Sequence, residues 1–133
     1  MNNRGKEPEI ICYDDCGNAP KKQLIKEFNI AFAKNEVAFI ISCVSDDIQW
    51  NMVGDQVIQG KKAFSDSLQH MEGSPISKIH IKNIITHGRT GAADGTLFFN
   101  SGKQFHFCDI YTFTSAGKQA KIKELTSYII EGT

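Results

Sequence analysis

Apolar residues recur every three or four positions in two neighbouring stretches near the start of the chain. The first stretch follows Pro20 and ends near Phe32, with lysines and a glutamate on the opposite side. Proline is tolerated in the first turn of a helix, so we predict a helix over 20–34. A second stretch at the same spacing predicts a short helix over 36–44. A connection of two or three residues places these helices in a tight hairpin.

The pattern then changes to strict alternation. Ile48, Trp50 and Met52 alternate with polar neighbours, which predicts a strand. A Gly-Asp turn leads from it into a short second strand at 57–58.

A third helical stripe begins after Gly60. Phe64, Leu68 and Met71 recur at helical spacing, and Gly73 is a suitable residue to end the helix. The proline two residues later prevents the helix from continuing.

From residue 76 onward the chain is rich in β-branched and aromatic residues in alternating runs. Turn sequences that contain glycine separate these runs. Four strands are predicted, the first from 76 to the turn at 88–91, and the others over 92–99, 104–114 and 120–131. Strands joined by such short turns form an antiparallel meander, so we predict an α+β fold with helices on one face of the sheet.

Size and composition restrict the possible classes of protein. The 133 residues allow a single domain over 20–133, preceded by an N-terminal arm over 1–19. Lysines and arginines equal aspartates and glutamates in number, so we expect no nucleic-acid partner. No apolar run is long enough to span a membrane, and the start of the chain does not resemble a signal peptide. With few cysteines, the chain is expected to be cytoplasmic.

Five segments carry a resemblance to a known family. They are Phe28–Phe32, Asp46–Trp50, Phe107–Phe113, Gly117–Lys118 and Lys121–Tyr128. With the order of elements, they make residues 20–131 resemble the nuclear transport factor 2-like superfamily, which includes SnoaL-like and ketosteroid isomerase-like proteins. The resemblance implies a cone, in which a curved antiparallel or mixed sheet wraps around three helices and opens on an apolar pocket. It also implies a homodimer formed through the outer face of the sheet.

The residues that ketosteroid isomerases use are mostly replaced. Phe28 stands where that family has its tyrosine donor, and Met52 stands where it has its aspartate base. Neither side chain can perform the corresponding step. Only the second carboxylic acid of the family finds a match, at Asp109, so steroid isomerisation by that mechanism is not expected.

Asp109 alternates in phase with the aromatic residues around it. It therefore shares a face of its strand with Phe105, Phe107, Tyr111 and Phe113. A carboxylate in such surroundings needs a hydrogen-bond donor or a proton. It is either the acid or base of a pocket or an anchor that holds a neighbouring strand or loop.

Three further side chains are candidates for the pocket. Trp50 shares the parity of Met52, which predicts that its indole either lines the pocket or packs in the core. Tyr111 and Tyr128 are predicted to place their hydroxyls in the same cavity. Phe28, Met52 and Phe107 complete the expected apolar lining.

Glu124 shares the parity of Tyr128, and the family register turns that face inward. Two interpretations follow. Glu124 either forms a carboxylate pair with Asp109, suited to acid–base catalysis, or lies near the mouth in solvent or beside a lysine such as Lys82 or Lys123.

No metal or cofactor is expected. The four histidines lack the spacing of a zinc site, and the chain has no glycine-rich phosphate loop before a helix. Cys12 and Cys16, with two aspartates between them, are a weak candidate for a reactive or metal-binding pair.

Two functions are compatible with these features. The first is a pocket for a small hydrophobic molecule, with Asp109 as an acid–base or oxyanion group acting on a carbonyl compound without a cofactor. The second is a non-catalytic dimeric module with a vestigial cavity. In both, alternation places four residues on the outer, dimer-forming face: His106, Cys108, Ile110 and Thr112.

Overall fold

The computed structural model describes residues 7–12, 19–70 and 75–132. Three helices lie within this part of the chain: α1 (Pro20–Lys34), α2 (Val37–Ser42) and α3 (Lys61–His70). The strands are β1 (Glu9–Cys12), β2 (Val44–Met52), β3 (Gln56–Gln59), β4 (Ile76–His87), β5 (Thr90–Phe99), β6 (Gln104–Phe113) and β7 (Ile122–Gly132). The predicted α+β fold, with a mixed curved sheet around three helices, is confirmed.

All seven of these strands form a single sheet in the order β1-β4-β5-β6-β7-β2-β3. The segment from β4 to β7 is an antiparallel meander, as predicted. Two pairings are parallel, that of β1 with β4 and that of β2 with β7. Residues 9–12 of the predicted arm thus belong to the sheet. Cys12 lies in β1, and Cys16, the other cysteine of the weak pair, lies outside the described residues.

The first helix begins and ends where the sequence predicts. Pro20 occupies its first turn, and Asn35 ends it in the left-handed conformation at φ 59°. The backbone N–H of Asn35 donates to the carbonyl of Phe32, which satisfies one of the carbonyls at the helix end. Helix α3 buries Phe64 and Leu68 against the sheet, whereas Met71 and Gly73 lie outside the described residues.

The second helix is shorter than predicted, and β2 is longer. The helix ends at Ser42, and the backbone is already extended at Val44. Val44 pairs with Ile122 of β7, and the register of this pairing shifts before Gln49. The strand therefore begins with an irregular segment that lacks simple alternation.

A β-bulge at the start of β7 reverses the alternation of that strand. Phe113 pairs with Ile122, whereas Thr112 pairs with Glu124, so Lys123 is an extra residue on β7. After the bulge, Leu125 and Ser127 face the helices, and the residues between them face the opposite side. We call the side of the sheet that faces the helices its inner face and the other side its outer face.

The core lies between the inner face and the helices. Its largest fully buried side chains include Tyr111, Phe113, Phe64 and Ile25. Across the described ranges, no helix is long and apolar enough to cross a membrane.

Candidate functional site

The inner face of the sheet and helices α1 and α3 surround a cavity of about 670 Å³. This volume lies within the range of about 300–1,000 Å³ that is usual for small-molecule sites. Most of its wall is apolar and aromatic. The aromatic lining consists of Phe28, Phe32, Trp50, Phe64, Phe99, Phe105 and Phe107.

The cavity has a buried floor and an exposed mouth. Lining residues at the floor, such as Phe28, Trp50 and Ser127, are buried. The exposed lining residues Ser101 and Lys103 lie just before β6, so they mark the mouth. Strand β6 runs from this mouth towards the floor, and Asp109 lies past its midpoint.

Five of the predicted site residues line this cavity. They are Phe28 on α1, Trp50 and Met52 on β2, and Phe107 and Asp109 on β6. The aromatic rings pack edge to face: the centroids of Trp50 and Phe64 are 5.4 Å apart, and those of Trp50 and Phe32 are 6.0 Å apart. Trp50 both lines the cavity and packs in the core.

Tyr111 lies behind the cavity wall instead of lining it. It is fully buried, with its ring edge to face with Phe28 at a centroid distance of 6.0 Å. Its hydroxyl acts on Asp109 as a hydrogen-bond donor and lowers the pKa of that carboxyl.

The predicted placement of Glu124 and Tyr128 is corrected by the structure. Both lie on the outer face, where Tyr128 is 47% exposed, and neither lines the cavity. The cause is the bulge at Lys123, which shifts the alternation of β7 by one residue. Glu124 is paired across the sheet with Thr112 and cannot form a carboxylate pair with Asp109, which lies on the inner face.

A polar cluster joins α1, β2, β6 and β7 at the cavity floor. It consists of Asn29, Trp50, Asp109, Tyr111 and Ser127. Trp50 Nε1 donates to Ser127 Oγ at 2.9 Å. Asn29 Nδ2 donates to the Tyr111 hydroxyl at 2.8 Å and to the carbonyl oxygen of Ile25 at 2.9 Å. The hydroxyls of Ser127 and Tyr111 in turn act on Asp109, because as hydrogen-bond donors they lower the pKa of its carboxyl.

The surroundings of Asp109 raise the pKa of its carboxyl to about 6. Burial is the largest cause, because an ionised carboxylate loses hydration in the cavity. The hydrogen bonds from Ser127 and Tyr111 act in the opposite direction and limit the rise. Burial and the nearby Asp109 also raise the pKa of Tyr111 well above its ordinary value. This hydroxyl therefore stays protonated and is available as a hydrogen-bond donor.

This arrangement suits proton transfer by one carboxyl group. Among the described residues that line the cavity, Asp109 and Lys103 are the only ionisable ones, and Lys103 is at the mouth. A pKa near 6 leaves Asp109 mostly ionised at neutral pH and protonated in mild acid, so it can both accept and return a proton. In the part of the chain that the structure describes, no three His, Cys, Asp or Glu side chains form a metal-binding group.

Sequence reasoning missed Asn29 and Ser127. Asn29 is a polar residue within an apolar stripe of α1, directly after Phe28, and this position was the available signal. Ser127 carried no such signal, because its inward orientation depends on the bulge in β7.

The cone of three helices within a mixed, curved sheet, with its apolar cavity, is the architecture of nuclear transport factor 2-like proteins. Within that class, the model of the SnoaL-like domain family matches residues 25–122. The chain belongs to this SnoaL-like domain family. No curated protein matches its sequence significantly.

Solved structures with the same fold include proteins of different activities. An NTF2-like protein of unknown function from Cytophaga hutchinsonii is 26% identical, with a TM-score of 0.63, and the match covers 82% of this chain and 98% of that one. An LEH-like epoxide hydrolase from M. tuberculosis is 18% identical, with a TM-score of 0.70 and coverage of 84% and 83%. A putative ketosteroid isomerase from Kribbella flavida is 9% identical, with a TM-score of 0.72 and coverage of 86% and 80%.

Proposed function

We propose that this protein binds a small hydrophobic molecule in the cavity and transfers a proton to or from it without a cofactor, with Asp109 as the acid–base group. One observation carries the proposal: a single carboxyl group with a pKa of about 6 lines a cavity whose wall is mostly apolar. Perturbed carboxyls in clefts of this kind are typical of catalytic sites.

The reaction class that fits best is proton transfer on a hydrophobic carbonyl compound. Asp109 is mostly ionised near neutral pH and acts first as the base, and its conjugate acid then returns the proton. The ketosteroid isomerase reaction itself is not proposed, because Phe28 cannot donate a hydrogen bond and Met52 cannot act as a base. The epoxide hydrolase among the structural neighbours supports the use of this fold for catalysis.

A thermal-shift screen of lipophilic ketones, enones and hydroxyketones tests this function. We expect some members to raise the melting temperature of the parent protein. Asp109→Asn preserves the shape of the side chain, so the variant is expected to lose proton-transfer activity on those compounds while its melting temperature stays within a few degrees. Asp94→Asn, on the outer face of β5, is the matched control and is expected to keep the activity. A variant at Asp109 that keeps full activity would overturn the assignment.

We also propose a homodimer through the outer face of the sheet. Four residues lie side by side across β4, β5, β6 and β7 on this face: Ile85, Ala92, Ile110 and Thr126. Ile85 is 64% exposed, and Ile130 on the same face is 70% exposed. A continuous surface with such large exposed side chains favours burial against a second copy.

The same surface supports the alternative function, a dimeric association module that does not use its cavity. The screen separates the two. The module hypothesis predicts no stabilisation by any lipophilic compound and no effect of Asp109→Asn on ligand response.

We propose a cytoplasmic location, which is supported by the thiols of Cys43 and Cys108, neither of which is in a disulfide.

A further inference from the structure

The hydrogen-bond donors at the cavity floor are already used within the protein. The indole N–H of Trp50 points to Ser127. The hydroxyls of Ser127 and Tyr111 each carry one proton, and their hydrogen bonding to the Asp109 carboxyl, which lowers its pKa, uses both protons. None of these three groups has a further proton to offer a ligand.

Asn29 also has no donor left. The carbonyl oxygen of Ile25 can only accept, so the atom of Asn29 that faces it at 2.9 Å must be the amide nitrogen. The second amide proton goes to the Tyr111 hydroxyl. The amide orientation is therefore determined by its partners.

The cavity floor still has hydrogen-bond acceptors that can bind a ligand. Asn29 is only 5% exposed and lines the cavity, and its Oδ1 has no hydrogen-bond partner among the described residues. The ionised carboxyl of Asp109, which lines the same floor, has lone pairs beyond those that accept from Ser127 and Tyr111. The side chains of Asn29 and Asp109 share the Tyr111 hydroxyl as a partner, so both acceptors belong to the same part of the floor.

From this arrangement we infer that the ligand's buried end carries a hydrogen-bond donor, a hydroxyl or an N–H group, which is held between Asn29 Oδ1 and the Asp109 carboxylate. The inference rests on the proposed function and narrows its substrate class to apolar carbonyl compounds that also bear such a donor. An ether or a simple ketone at this position would leave two desolvated acceptors without partners, which weakens binding.

Three naphthalene compounds of similar shape test the inference by isothermal titration calorimetry at about pH 8, where Asp109 is ionised. They are 2-naphthalenemethanol, its methyl ether and 2-naphthylmethylamine. We expect the alcohol, the amine or both to bind at least about tenfold more tightly than the ether. This order of affinities is diagnostic because the ether is the most hydrophobic of the three compounds. Burial of apolar surface alone would therefore make the ether bind most tightly. The amine is an ammonium ion at this pH, so the comparison between alcohol and amine shows whether a charged donor is preferred to a neutral one.

Two variants complete the test. Asp109→Asn adds amide protons at the floor and is expected to reduce the preference for the alcohol over the ether by at least about fivefold. Asp94→Asn makes the same change outside the cavity and is expected to preserve it. If the parent protein binds the ether as tightly as the alcohol and the amine, or more tightly, the inference is wrong, but the proposed binding pocket is retained. If none of the three compounds binds, the proposed pocket function fails and the inference fails with it.

Discussion

Trp50 Nε1 donates to Ser127 Oγ at 2.9 Å, across the parallel pairing of β2 with β7. The indole is only 3% exposed, so its N–H depends on this acceptor. Because the serine oxygen accepts from Trp50, its own proton is left for Asp109. A single serine thus connects a core aromatic residue with the ionisable group of the cavity.

Replacing this serine is expected to affect both stability and titration. Ser127→Ala leaves the Trp50 N–H without its acceptor, so the free energy of unfolding should fall by about 1–3 kcal/mol in urea denaturation. It also removes one hydrogen bond that lowers the pKa of Asp109, so this pKa should rise above about 6 in a carboxyl carbon NMR titration. Ser45→Ala removes a half-buried serine that donates to Asp47, away from the cavity, and is the control. An unchanged Asp109 titration would contradict the described cluster.

The Tyr111 hydroxyl is expected to matter through two partners. Tyr111→Phe removes the acceptor of Asn29 Nδ2 and a donor to Asp109. We expect a loss of about 1–2 kcal/mol in the free energy of unfolding and a higher pKa for Asp109. Tyr128→Phe makes the same change on the outer face and should alter neither quantity measurably. Equal effects of the two substitutions would show that the buried hydroxyl has no special role.

The raised pKa of Asp109 makes stability depend on pH. Its folded value of about 6 lies above the ordinary value of 3.8, so between these values the folded state binds more protons than the unfolded state. Stability contributed by the protonated carboxyl is therefore lost as pH rises through this window. The difference between the two pKa values corresponds to about 3 kcal/mol.

Asp109→Asn lacks this titration. Its free energy of unfolding relative to the parent protein should rise by up to about 3 kcal/mol between about pH 4 and about pH 7.5 in urea denaturation. Tyr111, whose pKa is well above 10.0, keeps its proton throughout, and Lys103 is at the mouth. Asp94→Asn controls for loss of a carboxylate from the same sheet. A relative stability that is flat or falls with pH would mean that the Asp109 pKa is not raised.

Gly95 allows two strands to approach closely beside the cavity. A Cβ atom on Gly95 would overlap the backbone carbonyl oxygen of His80 and crowd the Phe107 ring. Gly95→Ala must therefore move backbone in β4, and we expect it to lower the free energy of unfolding by about 2 kcal/mol or more. Gly117→Ala, whose Cβ would meet only the Ser115 hydroxyl at 3.4 Å, is the control in the same denaturation measurement. A stable Gly95→Ala protein would refute the described strand spacing.

The proposed dimer is tested on the outer face. Ile85→Lys places a charge at the β4 end of the exposed row, on its most exposed isoleucine, and is expected to raise the dissociation constant at least about tenfold in analytical ultracentrifugation. Val57→Lys changes a similarly exposed residue on the edge strand β3 and should leave the association unchanged. A parent protein that sediments as a monomer at micromolar concentration would refute the dimer.

Local periodicity determined most of the elements from the sequence alone. The bounds of α1 and the four strands of the meander follow from spacing, proline and turn residues, which act within a few positions. The inward orientation of Asp109 is also a local property, because β6 alternates without interruption from Phe105 to Phe113. For the same reason, the face occupied by Cys108 and Ile110 followed from the sequence.

Tertiary structure decided the features that depend on pairing between distant segments. The extra residue at Lys123 arises where β7 lies between β2 and β6, and it turned Glu124 and Tyr128 outward and Ser127 inward. The contacts of the polar cluster join residues 77 and 82 positions apart, from Trp50 to Ser127 and from Asn29 to Tyr111. No local pattern contains such contacts, because packing of whole elements brings the side chains together. The pKa of Asp109 depends on the same packing, since burial and both hydroxyl partners come from the folded cavity.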